Sequence, residues 1–186
     1  MKKKKAFFLL ILTAALSLAA CGKNQEETSS ISSASTVEGE EIDAGEVAAL
    51  CPTGWKSVGV EDLEASDSES IRSDALRFVK DGSSSEDIYN NAYIEITYYK
   101  DSSSFKSVDA QEWYENVNEL EKKNYGALTW EGYSAVSMGK SFVYLETQKD
   151  KAYITATLWI QEGNEVSASL DDVDVQAILA SITIKK

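Results

Sequence analysis

Apolar residues recur along this chain with two different periods, and the shorter period dominates the second half. It is clearest in residues 92–100, where side chains alternate in the order Ile94, Glu95, Ile96, Thr97, Tyr98, Tyr99. A period of two predicts a β-strand with two different faces. Residues 51–60 and 75–80 are short apolar runs beside turn residues, and they predict two earlier strands.

The same period returns after residue 126. Residues 127–139 predict two short strands or a bent pair, and residues 141–148 and 151–163 predict a hairpin that turns at Lys149 and Asp150. In the last strand one face carries Ile154, Ala156, Leu158 and Ile160, and the other carries Tyr153, Thr155, Thr157 and Trp159. Because both faces hold large side chains, we expect a covering layer on each.

Two segments have helical spacing. In residues 108–123, Asp109 and Glu112 are spaced as a capping box. Apolar residues then follow at intervals of three or four, namely Ala110, Trp113, Val117 and Leu120. We therefore expect a helix here that ends near Asn124 and Gly126. A second helix is predicted after Asp171 and Asp172 by the apolar stripe Val175, Ile178, Leu179 and Ile182.

The predicted order of elements is strands, helix, antiparallel strands, helix. This order indicates an α+β fold in which helices cover an antiparallel β-sheet. Residues 50–186 hold all four tryptophans and all nine tyrosines, so one domain of this size has enough large side chains for a core.

The first 20 residues have the pattern of a secretion signal. Lys2 to Lys5 form a cationic start, and the apolar stretch Ala6 to Leu18 is shorter than the ~20 residues that span a bilayer. The stretch Leu18-Ala19-Ala20-Cys21 resembles the lipobox of bacterial lipoproteins. The resemblance implies that Cys21 carries a diacylglyceryl group with fatty chains such as palmitate, so that the protein stays on the outer side of the cell membrane. The alternative is a secreted protein whose signal ends near a cysteine.

Residues 21–49 are rich in Ser, Glu and Gly and poor in aromatic side chains. Such a composition buries too little apolar surface to offset the entropy of ordering. We therefore expect Cys21 to be followed by a flexible linker, most simply a spacer, in front of the domain at residues 50–186.

Charge excludes some partners. The whole chain has a net charge of −13, and removal of a signal with four lysines and no acid leaves 14 basic and 31 acidic side chains, a net charge of −17. This excess opposes nucleic-acid binding and peripheral attachment to anionic lipid. An acidic surface attracts cationic peptides, basic proteins or metal ions, although it also serves simply to keep a protein soluble.

Residue types exclude further classes of site. Histidine is absent, and lipidation of Cys21 leaves Cys51 as the remaining cysteine. The usual zinc and copper sites, the Ser-His-Asp and Cys-His catalytic groups, and a disulfide within the mature chain are therefore excluded. For Cys51 two interpretations stay open: a disulfide with another chain, or a small buried residue.

Three sequence strings suggest chemistry only weakly. Ser137 to Lys140 matches S-x-x-K but lies among strand-like residues without the companion motifs of that enzyme class. Residues 81–87 offer several oxygens for calcium but lack the EF-hand pattern, which favours an exposed connection. Acid pairs are expected by chance among 31 acids, as at Glu40-Glu41, Glu86-Asp87 and Asp171-Asp172. We therefore predict no catalytic residue, no metal ligand and no cofactor.

A family resemblance joins several short motifs. They are Pro52-Thr53-Gly54-Trp55 after the linker, the predicted mid-chain helix, Trp130-Glu131-Gly132-Tyr133, the strands of a meander, and a closing helix DVQAILASI at residues 174–182. Together they resemble the PsbP-like group of lipoproteins, which implies an α/β/α sandwich and an accessory or binding role without catalysis. In this resemblance Trp55 and Trp130 are core anchors and Gly132 is a turn or close-packing position. The metal role of PsbP depends partly on histidine, so it does not carry over.

These points predict a membrane-anchored lipoprotein outside the cytoplasm, whose domain binds an envelope protein or a small ligand. The alternatives are a passive acidic component of the envelope and, less favoured, a calcium-binding or hydrolytic surface protein. Four tyrosines can separate the first two, namely Tyr89, Tyr93, Tyr99 and Tyr153. Clustering on an open concavity favours recognition, and burial under helices opposes it.

Overall fold

The computed structural model of the chain describes residues 37–61, 71–101, 103, 105, 108–161 and 166–185. The chain divides into two units, residues 1–34 and 35–186, and all described residues belong to the second. The predicted signal peptide, Cys21 and the first part of the predicted linker lie outside the described residues. Among those that are described, no helix has the length and apolar character needed to cross a membrane.

The described residues form two sheets, two α-helices and a 3₁₀ helix at Ser85–Tyr89. The strands are β1 (Gly39–Asp43), β2 (Val47–Pro52), β3 (Trp55–Val58), β4 (Ala75–Lys80), β5 (Tyr93–Tyr99), β6 (Glu115–Tyr125), β7 (Leu128–Ser137), β8 (Lys140–Lys149), β9 (Ala152–Trp159) and β10 (Thr183–Ile184). The helices are α1 (Ala110–Trp113) and α2 (Val173–Ser181). We call the seven-stranded antiparallel sheet, in the order β3-β4-β5-β9-β8-β7-β6, the large sheet, and β1-β2-β10 the small sheet.

The hydrophobic core lies on one face of the large sheet. Alternate residues of its central strands are fully buried there, among them Phe78, Ile94, Ile96, Ile154 and Leu158. Strand β2 and helix α2 cover this face, and α2 contributes the predicted stripe Val175, Ile178 and Leu179. Two polar contacts fix the layer: the Leu50 N–H donates to Ser181 Oγ at 2.8 Å, and Trp55 Nε1 donates to Asp174 at 3.3 Å. The antiparallel sheet and the C-terminal helix are therefore confirmed.

Strands β6 to β9 form a meander with short turns. The pairs Tyr125 with Leu128, Ser137 with Lys140 and Lys149 with Ala152 each close a two-residue turn. In the second turn, Met138 and Gly139 have φ of +52° and +77°, the backbone that two-residue hairpins require. The S-x-x-K string is thus a hairpin, as its strand-like surroundings indicate, and not a helix start.

The helix predicted over residues 108–123 is wrong beyond its first turn. Asp109 does cap a helix, since its side chain accepts from the Gln111 N–H at 3.1 Å, but α1 ends at Trp113 and β6 follows. Strand β6 has register shifts between Glu115 and Asn118 and between Leu120 and Lys123. Each shift adds one residue to the strand, so residues on one face lie three positions apart instead of two. Val117 and Leu120, two members of the predicted apolar stripe, thus lie in an irregular strand paired with β7 and not on a helix face.

The flexible linker predicted over residues 21–49 is wrong from Gly39 onwards. Strand β1 pairs with β2 in the register Gly39 to Pro52, and Val47, Ala48 and Ala49 are buried. Strand β1 is polar because it lies at an edge of the small sheet, where Lys185 of the C-terminal segment forms ion pairs with Glu41 and Asp43 at 2.8 and 3.4 Å. Pairing with an apolar neighbour orders this acidic stretch in spite of its composition.

The predicted covering of both sheet faces by helices is only partly correct. Helix α2 covers the core face together with the small sheet, and no helix of the described residues covers the other face.

Residues 128–137 form one strand rather than the two short strands or the bent pair that residues 127–139 predict. Cys51 is buried, which agrees with the second of its two interpretations.

Three motif residues have the structural roles that the resemblance implies. Trp55 and Trp130 are core residues, with 8% and 1% of their surface exposed. Gly132 is a close-packing position, because a Cβ atom there would overlap the carbonyl oxygen of Tyr144 on β8. Strands β7 and β8 can keep their register only if residue 132 has no side chain.

We predict that Gly132→Ala lowers the free energy of unfolding by about 3 kcal/mol, because the new methyl group meets backbone that cannot move without breaking the strand pair. Gly139→Ala is the matched control: it lies in an open turn, where an added Cβ would meet no atom within 4 Å, and it is opposed only by its φ of +77°, at a cost of about 1 kcal/mol. Urea unfolding measures both values. Equal losses would contradict the role given to Gly132.

Candidate ligand-binding concavity

The face of the large sheet opposite the core is concave and holds a cavity of about 810 Å³. Its lining includes eight aromatic side chains, four glutamates and one lysine. Most of these residues come from β5, β9, β8 and β7, and Phe105 and Tyr114 come from the connection between β5 and β6. We call this surface the concavity.

The strand register arranges the floor of the concavity in transverse rows. Tyr93, Trp159 and Phe142 are direct neighbours across β5, β9 and β8. The next row contains Glu95, Thr157, Tyr144 and Tyr133, and the row after it contains Thr97, Thr155, Glu146 and Glu131. Because residues two apart in a strand share a face, the alternation that buries Ile94 and Leu158 also directs these side chains into the concavity.

The first two rows and Tyr114 pack their rings together. The ring centroids of Phe142 and Trp159 are 5.1 Å apart, those of Tyr114 and Phe142 4.9 Å, and those of Tyr133 and Tyr144 5.2 Å. Such ring pairs add to the stability of a sheet face beyond their buried area. We call this set the large ring cluster: Tyr93, Tyr114, Tyr133, Phe142, Tyr144 and Trp159.

A second set of rings, the small ring cluster, lies further along the same strands. It consists of Tyr99, Phe105 and Tyr153, with Phe105 stacked on Tyr153 at 4.6 Å and in edge contact with Tyr99 at 5.4 Å. Tyr99 and Tyr153 are direct cross-strand neighbours. We call the second and third rows the middle rows. Their polar residues therefore lie between the large and the small ring cluster.

Two glutamates of these middle rows, Glu95 and Glu146, are oriented by hydrogen bonds. Arg77 on β4 donates to Glu95 Oε2 from Nε at 2.9 Å and from Nη2 at 2.6 Å. The side chains of this pair are only 20% and 29% exposed. The Tyr144 hydroxyl donates to Glu146 Oε2 at 3.1 Å. Charge-assisted hydrogen bonds of this kind orient both carboxylates before any ligand arrives.

The phenol groups stay uncharged at neutral pH. Burial, and then the neighbouring Glu95 carboxylate, raises the pKa of Tyr93 to about 12. Burial raises the pKa of Tyr133 to about 12 as well, with contributions from Tyr114 and Glu146. The pKa of Tyr144 is raised further by burial and by Glu146. The rings therefore present neutral faces and hydroxyl donors.

Two of the four tyrosines singled out in the sequence, Tyr93 and Tyr99, line the concavity. Tyr153 belongs to the small ring cluster, and Tyr89 is 68% exposed outside the concavity. The sequence analysis missed the contributions of β7 and β8. The available signal was the alternation of Phe142, Tyr144 and Glu146 with buried residues of β8.

The other sequence candidates do not join the concavity. In residues 81–87, Asp87 Oδ2 accepts from the backbone N–H groups of Ser83 and Ser84 at 2.6 and 2.8 Å, so this carboxylate caps the 3₁₀ helix. Within the described part of the chain, no three Cys, Asp or Glu residues are grouped to hold a metal ion. Burial, with the nearby Glu40 charge, raises the pKa of the Cys51 thiol to about 11, which keeps it protonated and unreactive.

No known protein family matches this sequence, and no curated protein matches it. Three solved structures are similar in fold at low identity. A protein of Bacteroides thetaiotaomicron VPI-5482 has 14% identity and a TM-score of 0.44 over 80% of this chain, and the match spans 49%, about half, of that protein. Cyanobacterial PsbP from Synechocystis sp. PCC 6803 has 13% identity and a TM-score of 0.44, with 86% of this chain and 100% of that chain covered.

The third is LpqN, described as involved in cell envelope biogenesis of Mycobacterium tuberculosis. It has 13% identity and a TM-score of 0.40, with 81% of this chain and 92% of that chain covered. All three values are too low to carry the role of any of these proteins to this chain.

The raised tyrosine pKa values predict a loss of stability in alkali. Since the folded protein keeps protons that the unfolded chain releases, the stabilisation is complete below pH ~10 and is lost as pH rises towards about 12. Tyr93→Phe is expected to reduce the fall in urea midpoint between pH 8 and pH 11. Tyr89→Phe, at an exposed position, is the control and is expected to reduce the fall much less, because Tyr89 is only the last of the groups that raise the pKa of Tyr93. An identical fall in both variants and the parent would contradict the burial of Tyr93.

Proposed function

We propose that this chain is a lipoprotein of the bacterial cell envelope, held outside the cytoplasm by lipid on Cys21, whose domain binds a ligand in the concavity without catalysis. The observation that carries the binding role is the pair of ring clusters on either side of two oriented carboxylates. The leader sequence supports the location.

A purely structural explanation does not account for the cavity on this face. A sheet face that serves only stability is either buried under another layer or polar. Here eight aromatic side chains line an open cavity whose volume, about 810 Å³, lies in the range of small-ligand sites. The rings also pack on one another, so binding loses little free energy to ordering them. A passive acidic envelope component would gain nothing from such a surface.

A binding role fits the chemistry of the concavity better than an enzymatic one. The sequence has no histidine, the side chain that most often acts as general acid or base near neutral pH. Glu95 is paired with Arg77, and Glu146 already accepts from Tyr144. These contacts favour a fixed electrostatic environment over a carboxylate that must gain and lose protons.

The anchor is inferred from residues 1–21. A cationic start, a short apolar stretch and Leu18-Ala19-Ala20-Cys21 occur in the order that lipoprotein processing requires. The net charge of −17 after this leader opposes attachment to an anionic surface by charge alone. Covalent fatty chains would hold the protein there, because two acyl chains bind firmly where one is marginal.

The binding role predicts a response to the low-molecular-mass fraction of an envelope extract. We expect NMR chemical-shift changes in the labelled protein confined to the concavity, and Trp159→Leu should weaken them at least tenfold because it removes the ring that joins Tyr93 to Phe142. Trp113→Leu is the matched control, since Trp113 is 72% exposed and outside the concavity. If the two folded variants show equal chemical-shift changes, or if the changes lie on another surface, the concavity is not the binding site.

The anchor predicts different fates for the two cysteine variants in a bacterium that processes lipoproteins. Cys21→Ser should move the protein from the membrane fraction to the soluble fraction, because the lipid attachment site is gone. Cys51→Ser, which alters a buried residue of the domain, should leave it on the membrane. Intact-mass measurement should find the diacylglyceryl group on residue 21 of the parent. A bare thiol there would refute the anchor.

A further inference from the structure

We propose that the ligand of the concavity is a small organic cation, an ammonium group attached to an apolar body. This inference rests on the proposed binding role and adds the chemical class of the ligand. It depends on how the strand register mixes rings with carboxylates.

The carboxylates and the rings occupy adjoining positions of the same strands. Glu95 is two residues from Tyr93 and four from Tyr99, so rings lie on both sides of it along β5. Glu146 is two residues from Tyr144 on β8 and bonds its hydroxyl. A cation above the middle rows would meet carboxylate oxygens at the floor and ring faces beside them. Both groups attract positive charge, the rings through their quadrupole.

The charge of the lining favours a cation over an anion or a neutral molecule. Four glutamates and one lysine line the concavity. Lys122 forms an ion pair with Glu131 at the rim, and Arg77 forms one with Glu95, so these two cations are already matched. The other two glutamates of the lining, Glu119 and Glu146, give the concavity a net negative charge. An anionic ligand would be repelled, and a neutral one would gain nothing from this charge.

The balance of rings and oxygens favours an organic cation over a metal ion. Aromatic side chains outnumber the glutamates by eight to four, and a bare divalent ion has no use for apolar surface. No metal-binding group of three acids or cysteines occurs in the described ranges. An ammonium group on a hydrocarbon body would use both parts of the lining, because its apolar portion replaces water on the rings.

The size of the cavity favours a small molecule over a basic protein. Phe105 and Tyr114, which come from outside the sheet strands, also line this volume of about 810 Å³, one in each ring cluster. Sites of this volume enclose most of a drug-sized molecule. A protein partner needs a broader contact surface, typically about 800 Å² on each side.

The test compares cations with neutral molecules of the same shape. Two probe pairs are titrated into the labelled full-length protein carrying Cys21→Ser: choline against 3,3-dimethylbutan-1-ol, and benzylammonium against benzyl alcohol. We expect at least one cation to bind in the concavity tenfold or more tightly than its neutral partner. Raising NaCl to 0.5 M should weaken the cation and leave the neutral molecule unchanged, because salt screens the carboxylates.

Variants locate the effect. Glu146→Gln should weaken the cation at least fivefold without changing the neutral partner, since Gln keeps an oxygen that accepts from Tyr144 and loses only the charge. Glu86→Gln, an exposed acid outside the concavity, should change neither. If cation and neutral molecule bind the concavity equally, the ligand class is wrong and the binding role stands. If no cation binds there, the inference is overturned, and the extract titration with Trp159→Leu decides the binding role separately.

Discussion

The chemistry of both faces of the large sheet depends on its cross-strand register. A shift of one residue in any central strand would exchange the buried apolar residues with the rings and carboxylates of the concavity. The core fixes this register because Ile94, Ile154 and Leu158 must stay away from water. Gly132 adds a second constraint, since only a residue without a side chain lets β7 approach β8 so closely. Stability on one face thus positions the rings and carboxylates of the concavity on the other.

The two faces of the large sheet differ in how they are covered. The core face is closed by α2 and the small sheet, and its burial provides the main free energy of folding. The open face keeps aromatic surface near water, which is unfavourable, and mutual packing of the rings partly offsets this. Arg77 and Tyr144 hold the two central carboxylates in fixed orientations.

Two elements show where local pattern and tertiary structure disagree. Strand β6 has Val117 and Leu120 at a helical interval, yet its backbone groups pair with β7. Strand β1 has the composition of a linker because it is an exposed edge, yet β2 orders it. In both cases the backbone hydrogen bonds are made with a partner strand. That partner is not part of the short segment from which periodicity predicts structure. Hydrophobic periodicity within one segment therefore does not identify an edge strand that carries few apolar residues.

The sequence alone determined the strands with strict alternation, the C-terminal helix with its apolar stripe, the core roles of Trp55 and Trp130, and the exclusion of histidine-dependent chemistry. It also named four tyrosines that would separate recognition from a passive role, and two of them, Tyr93 and Tyr99, line the concavity. Only the tertiary structure decided which sheet face is covered and which is open, because covering depends on where α2 and the small sheet pack and not on any period. Only the tertiary structure brought together rings and glutamates from different strands, because the register between strands decides which of these side chains are neighbours. A site assembled from several strands has no contiguous signature in the chain.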